Sequence, residues 1–282
     1  MDVAIHSKAL LGEGPRWDAA TERLLWVDIE AGELHLFDPA SGGDRAIPLG
    51  NRLGAAAPTQ AGGVLVALAD RLALVDLNDE SVRTLVEIPH GEEMRLNDGV
   101  CDPAGRFWVG SMALDYAPGA GALYRYSSDG GLDRVLGDVT ISNGLGWSLD
   151  GGTMYYIDSM AYRVDAFDFD PSTGAISGRR PLIVIERGAG IPDGLAVDDD
   201  GGIWVALWGR GAIRRYAPDG KLDRVLAVPA DNVTACCFGG DDGRLLYVTT
   251  ASVEQRRQQP LAGSVFVTDA GVSGPPAQPF AS

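Results

Sequence analysis

Apolar positions along the chain alternate over short runs and show no sustained helical period, which predicts strands joined by tight turns. A turn rich in Gly or Asp, followed by a strand with aromatic or branched residues, keeps returning. It reads DAATERLLWVDI (18–29), TQAGGVLVALA (59–69), DPAGRFWVG (102–110), SLDGGTMYYID (148–158), DDDGGIWVALW (198–208) and GDDGRLLYVTT (240–250). The turns fall near 20, 62, 105, 151, 201 and 243, so the unit recurs every 42 to 50 residues. Each copy is followed by a second strand, such as ELHLFDP (33–39) or AIRRYAPDG (212–220), and most by a third, such as VRTLVEIP (82–89). Six copies of a three- or four-stranded unit predict an all-β fold, a six-bladed β-propeller with a central channel, because each small sheet has an apolar face that only its neighbours can cover. The absence of a linker-like stretch predicts one domain over 1–282 and disfavours a sandwich or two β domains. The segment AIHSKAL (4–10) precedes the first full unit and is expected to complete the last blade.

The strand before each repeated turn is the expected innermost one. These strands begin GEGPRW (12–17), LGAAAP (53–58), NDGVCD (97–102), SNGLGW (142–147), PDGLAV (192–197) and VTACCF (233–238). Aligned on the turns, four place an acid or amide before a glycine: Glu13-Gly14, Asp98-Gly99, Asn143-Gly144 and Asp193-Gly194. At a common phase these residues come to one height around the axis. Oxygen donors without a His or Cys cluster suit a hard divalent ion, with Ca²⁺, Mn²⁺, Mg²⁺, Fe²⁺ and Zn²⁺ all admissible. The neighbouring glycines would let the strands pack closely. Arg95 and Asn97, two apart in an extended segment, face the same way and would suit the hydroxyls or carbonyl of a polyol-like substrate. Asp115, in the loop SMALDYAPGAG, is placed at the channel mouth. Arg16 reads as structural, five of the six tryptophans as inter-blade packing, and Trp208 as a pocket residue.

The formal charge of −16, from 23 Lys and Arg against 39 Asp and Glu, argues against nucleic acid and anionic membrane as partners. Three cysteines without CxxC spacing make no disulfide framework, and Cys236 and Cys237 read as small buried residues on opposite faces of a strand. No leader or membrane-length apolar run is visible, so a cytoplasmic protein is expected, monomeric or weakly self-associating. His6, His35 and His90 lie off the ligand phase and are expected at surfaces or edges. No Ser-His-Asp set, P-loop or dinucleotide fingerprint is present.

LGEGPRW (11–17), RLNDGVCDPAGRFWVGSM (95–112), ISNGLGWSLD with YYIDS and DAFDFD, IPDGLAVDDDGGIWVA (191–206), CCFGGDD and LLYVTTA together resemble the SMP-30/gluconolactonase/luciferin-regenerating family over most of the chain. The resemblance implies a six-bladed propeller with one catalytic divalent ion that hydrolyses a sugar lactone, such as gluconolactone, to the aldonic acid. It implies Glu13, Asn143 and Asp193 as metal ligands, Asp193 also as proton shuttle, and Arg95 and Asn97 as substrate-binding residues. Asp115 is counted with them as a substrate-binding candidate, at a position where the family's animal members carry glutamate, one methylene longer, and Asp98 is assigned an orienting role. The competing expectations are a non-enzymatic calcium-binding propeller, an aryl-ester or organophosphate hydrolase on the same frame, and a scaffold with a merely structural channel.

Overall fold

A computed structural model describes residues 1–255 and 259–282. Six four-stranded antiparallel sheets surround one channel as the blades of a propeller. The innermost strands are Gly12–Asp18, Leu53–Pro58, Met94–Cys101, Ser142–Trp147, Ile191–Val197 and Val233–Gly239. Burial marks the radial order. Leu53–Pro58 is buried at every residue, whereas the outermost strand of the first blade, Gly43–Pro48, is buried at one. The last blade takes its outermost strand from the start of the chain: Asp2–Ile5 pairs antiparallel with Val265–Asp269. That strand is shorter and earlier than the expected 4–10, since after Ile5 the chain turns, with Ser7 N–H donating to the Ile5 carbonyl.

In the third and fifth blades the recurrent turn owes its sequence to a buried acid. Asp102 Oδ1 accepts the amides of Ala104 and Arg106, while its Oδ2 accepts Arg106 Nε and, at 3.0 Å, Trp108 Nε1. Asp198 repeats this with the amides of Asp200 and Gly202, Trp204 Nε1 at 2.7 Å and Arg215 Nε. Both carboxylates are fully buried, and every oxygen is satisfied, which is the condition for holding charge there. Gly105 (φ 81°) and Gly201 (φ 77°) supply the left-handed residue such turns need.

Large aromatics fill the seams between blades. Trp17 stacks on Tyr247 at 5.7 Å between the first and last blades, and Trp108 meets Trp147 at 6.1 Å between the third and fourth. Cys236 and Cys237 do face opposite sides, each in a different core cluster, and all three thiols are free and buried. His35 departs from its expected surface or edge position. It is buried, stacks on Trp26 at 3.8 Å, and places Nδ1 2.8 Å from Asp44. The C-terminal segment straps one end of the channel: Ala277 N–H donates to Trp17, Phe280 N–H to Pro58 and Ala281 N–H to Gly105, with Phe280 stacked on Tyr126. Among the described residues no helix is long and apolar enough to cross a membrane.

Candidate active site

Every innermost strand slips register against its neighbour at one height. The slips lie between Glu13 and Arg16, Leu53 and Ala55, Leu96 and Gly99, Ser142 and Leu145, Pro192 and Leu195, and Val233 and Ala235. Such irregularities re-aim side chains out of the plain alternation of a strand, and six at one level turn a ring of backbones toward the axis. At Gly54, Gly99, Gly144 and Gly194 the glycine is required by contact. A Cβ on Gly194 would lie 2.5 Å from the Ala235 Cβ, and one on Gly54 would lie 2.5 Å from the Asn97 carbonyl oxygen.

The N-terminal ends of these strands line a cavity of about 650 Å³ that contains Glu13, Arg95, Asn97, Asn143 and Asp193. All five are at most 7% exposed. Their hydrogen bonds interlock. Arg95 Nη1 donates to Asn97 Oδ1 and to the Leu96 carbonyl. Asn97 Nδ2 donates to the Ser142 carbonyl at 2.8 Å and to Asn143 Oδ1 at 2.9 Å. Asn143 Nδ2 in turn donates to Ser159 Oγ at 2.8 Å, and that hydroxyl donates to the Pro192 carbonyl. The chain of donors fixes the Asn143 amide with one lone pair of Oδ1 still free.

The acids carry the strain of this enclosure. Burial, reinforced by the Asp98 charge, pushes the Glu13 carboxyl up to about 8. Burial, then Glu13 and Asp98, holds Asp193 well above the usual carboxylate range. Asp193 Oδ1 is buried without a hydrogen-bond partner. Among the described residues no three His, Cys, Asp or Glu side chains form a metal cage by themselves. The set here is two carboxylates and a carboxamide, all oxygen donors, and the orphaned Asp193 Oδ1 is what a hard cation would satisfy. The donor set therefore fits a divalent ion.

Asp98 does not line the cavity. It accepts Arg16 Nη2 at 3.0 Å and the Gly99 amide, below the floor. Asp115 is a correction: it is exposed, its Oδ1 accepts the Ala117 amide, and its neighbours Leu114 and Tyr116 line the cavity instead. Trp208 does line it. Sequence reasoning missed Ser159, though YYIDS was part of the resemblance, and also Glu30, Arg52, Tyr116 and Glu254, which sit in loops without periodic signal. Two strand-end acids place the ligand strands. Asp28 accepts the amides of Leu10 and Leu11 just before Glu13, and Asp158 accepts those of Thr140 and Ile141 just before Asn143.

A family model described as the SMP-30/gluconolactonase/LRE-like region matches residues 11–252. The chain belongs to that family. Regucalcin of Danio rerio is 38% identical over 284 residues, which cover 98% of this chain and 96% of that one. YvrE of Bacillus subtilis (strain 168), provisionally named a sugar lactone lactonase, is 35% identical over 289 residues, 100% of this chain and 99% of that one. Among solved structures, a calcium-binding regucalcin of Agrobacterium tumefaciens superposes with a TM-score of 0.94 at 30% identity, over 100% of this chain and 97% of that one. Within the SMP-30/gluconolactonase/LRE-like family, then, this chain presents an oxygen-donor cavity at one end of its channel.

Proposed function

We propose that this protein is a metal-dependent sugar lactonase that opens an aldonolactone, gluconolactone being the parent case, to the aldonic acid. The observation that carries the reading is Asp193 Oδ1, buried and unpartnered, in one cavity with Glu13 and Asn143 beside a fixed Arg95–Asn97 pair. Glu13, Asn143 and Asp193 would hold one divalent ion, Ca²⁺, Zn²⁺, Mn²⁺, Mg²⁺ or Fe²⁺, and when bound it would supply Lewis-acid polarisation of the lactone. Arg95 and Asn97 orient the hydroxyl-bearing ring, since the Arg95 guanidinium retains donors beyond those given to Asn97 and Leu96. Asp193 handles the proton of the incoming water and returns one to the departing ring oxygen. Asp98, held by Arg16, backs Glu13 and Asp193 from below.

The gluconolactonase family and the lactonase name of the Bacillus relative support this chemistry. A second reading is favoured by the calcium-binding Agrobacterium relative: a cation-binding propeller without turnover. One experiment separates them. Metal-stripped protein is titrated with each of the five ions and assayed against a panel of aldonolactones, spontaneous hydrolysis being subtracted. Metal-dependent opening of one lactone is expected, and Asp193→Ala should lose both the ion and turnover. Metal binding with no lactone opened would favour the second reading. Normal hydrolysis by a metal-loaded Asp193→Ala protein would remove Asp193 from its role. The protein is proposed to act in the cytoplasm on a small molecule, as a monomer or weak oligomer.

A further inference from the structure

Among the described residues the buried polar side chains of the cavity, Glu13, Arg95, Asn97, Asn143 and Asp193, lie on its floor, and exposed apolar side chains stand at its mouth beside Glu30, Arg52 and Glu254. Among the described residues nine large apolar side chains are exposed, and four of them stand around this one opening: Leu10 (46%), Leu114 (38%), Tyr116 (50%) and Met160 (44%). They come from three separate segments: the lead-in to the first blade, the loop of the third, and the short 3₁₀ turn Ser159–Ala161 of the fourth. Exposed apolar residues are ordinary when scattered, and a collar of them around a polar pocket marks a binding surface.

Among the described residues the polar groups that reach the mouth pair with one another. Tyr116 Oη lies 3.2 Å from Glu254 Oε1, so the tyrosine presents its ring. Arg52 Nε pairs with Glu30 at 2.9 Å. Size points the same way. A six-carbon sugar lactone, about a dozen non-hydrogen atoms, fills only about a quarter of 650 Å³ at ordinary packing density. A ring hydroxylated at every carbon would also leave the collar with nothing to bury.

We propose that the collar is a second subsite for an apolar substituent, so that the preferred substrate is a hydroxylated lactone carrying an alkyl or aryl group on the side remote from its reacting carbonyl. This rests on the lactonase reading for the ring and adds the part of the substrate that the floor does not bind. Burying a methylene against the collar strengthens binding by up to about fourfold, the equivalent of about 0.8 kcal/mol.

The test uses the metal-loaded protein and two ligand series. The first is an aldonolactone and its methyl, butyl and hexyl ethers on the terminal hydroxyl, assayed for turnover. The second is the matching cyclic ethers, which lack the carbonyl, measured by calorimetric binding. Lengthening the chain is expected to lower KM and Kd in parallel, by tenfold or more from methyl to hexyl. A Leu10→Ser/Met160→Ser protein should flatten both series and leave the parent lactone's kcat/KM unchanged; both side chains are exposed, so the fold is retained. If no lactone is opened yet the cyclic ethers still tighten with length, the lactonase reading fails and the collar stands. If the parent lactone is opened and neither series responds to length, or the double variant responds as the wild type does, the collar proposal is overturned.

Discussion

Arg16 Nη2 lies 3.0 Å from Asp98 Oδ1, a contact that joins the first and third blades beneath the cavity floor. Arg16 is 7% exposed and Asp98 5%, and the same guanidinium donates to the carbonyls of Pro15 and Gly99. Two buried charges in such a place stabilise only as a pair, and removing one strands the other. Arg16→Met is therefore expected to cost about 3–5 kcal/mol. Adding Asp98→Asn should recover a large part of that. A double-mutant cycle by urea unfolding measures the coupling, and additive losses would show that the two residues act independently.

Glu13 sets a pH dependence for the metal-free protein. Its carboxyl is raised by burial to about 8, from 4.5. Between those values the folded state holds a proton that the unfolded state has released. The contribution to stability is thus full below about 4.5 and is lost as pH rises toward 8, the sign opposite to that of a salt-bridged acid. Asp193, also raised, acts in the same direction. Thermal unfolding of chelator-treated protein should show the melting temperature falling from pH 5 to pH 8, and Glu13→Gln should flatten that slope. An unchanged slope in Glu13→Gln would place the titration elsewhere.

Ser159 is expected to act through Asn143. Its hydroxyl accepts Asn143 Nδ2 and donates to the Pro192 carbonyl, so it fixes which way the amide points. Under the proposed ligand set, Ser159→Ala should weaken divalent-ion affinity by about tenfold, the lower range for loss of an outer partner of a ligand. Ser159→Thr should restore it. Calorimetric titration reads this without reference to turnover, and unchanged affinity in Ser159→Ala would make the hydroxyl a packing detail.

Gly194 is a test of how the ring of strands is packed. An added Cβ would come within 2.8 Å of the Ala235 Cα, on backbone that has nowhere to go. Gly194→Ala is expected to destabilise by about 1–3 kcal/mol, the range for overpacking, and to weaken ion binding because it moves the strand bearing Asp193. Gly151, at which a Cβ would meet nothing within 4 Å, is the contrast within the same chain for crowding. Thermal melts of the two alanine variants compare them; its φ of 67° leaves Gly151→Ala only the backbone cost.

The repeat was legible because each blade restates a polar turn before an apolar strand, and the third and fifth share one local solution, a turn acid, its glycine and the tryptophan it holds: Asp102 with Trp108 and Asp198 with Trp204. The residues at the axis were legible by phase, from the turn backward. Phase alone did not separate Asn97 from Asp98, and the structure shows the reason: the strand slips register between Leu96 and Gly99, so simple alternation does not hold there. The mouth was misread for a different reason. Tyr116 takes a left-handed φ of 61°, which reverses the course of the loop, leaves Asp115 in solvent and brings the tyrosine over the cavity. Nothing in SMALDYAPGAG announces that inversion. The C-terminal strap escaped notice too, because one apolar residue, Phe280, among Pro, Gln, Ala and Ser carries no period to detect.

The pairing of Asp2–Ile5 with Val265–Asp269 means that two strands of one blade are made far apart in time. The strand Asp2–Ile5 has no partner in its blade until Val265–Asp269, more than 250 residues later, has been made. Until the two strands dock, Val265–Asp269 presents a bare hydrogen-bonding edge, open to a neighbouring chain. The finished ring is sealed by a single seam, and that seam is where amide exchange should begin when the propeller is warmed.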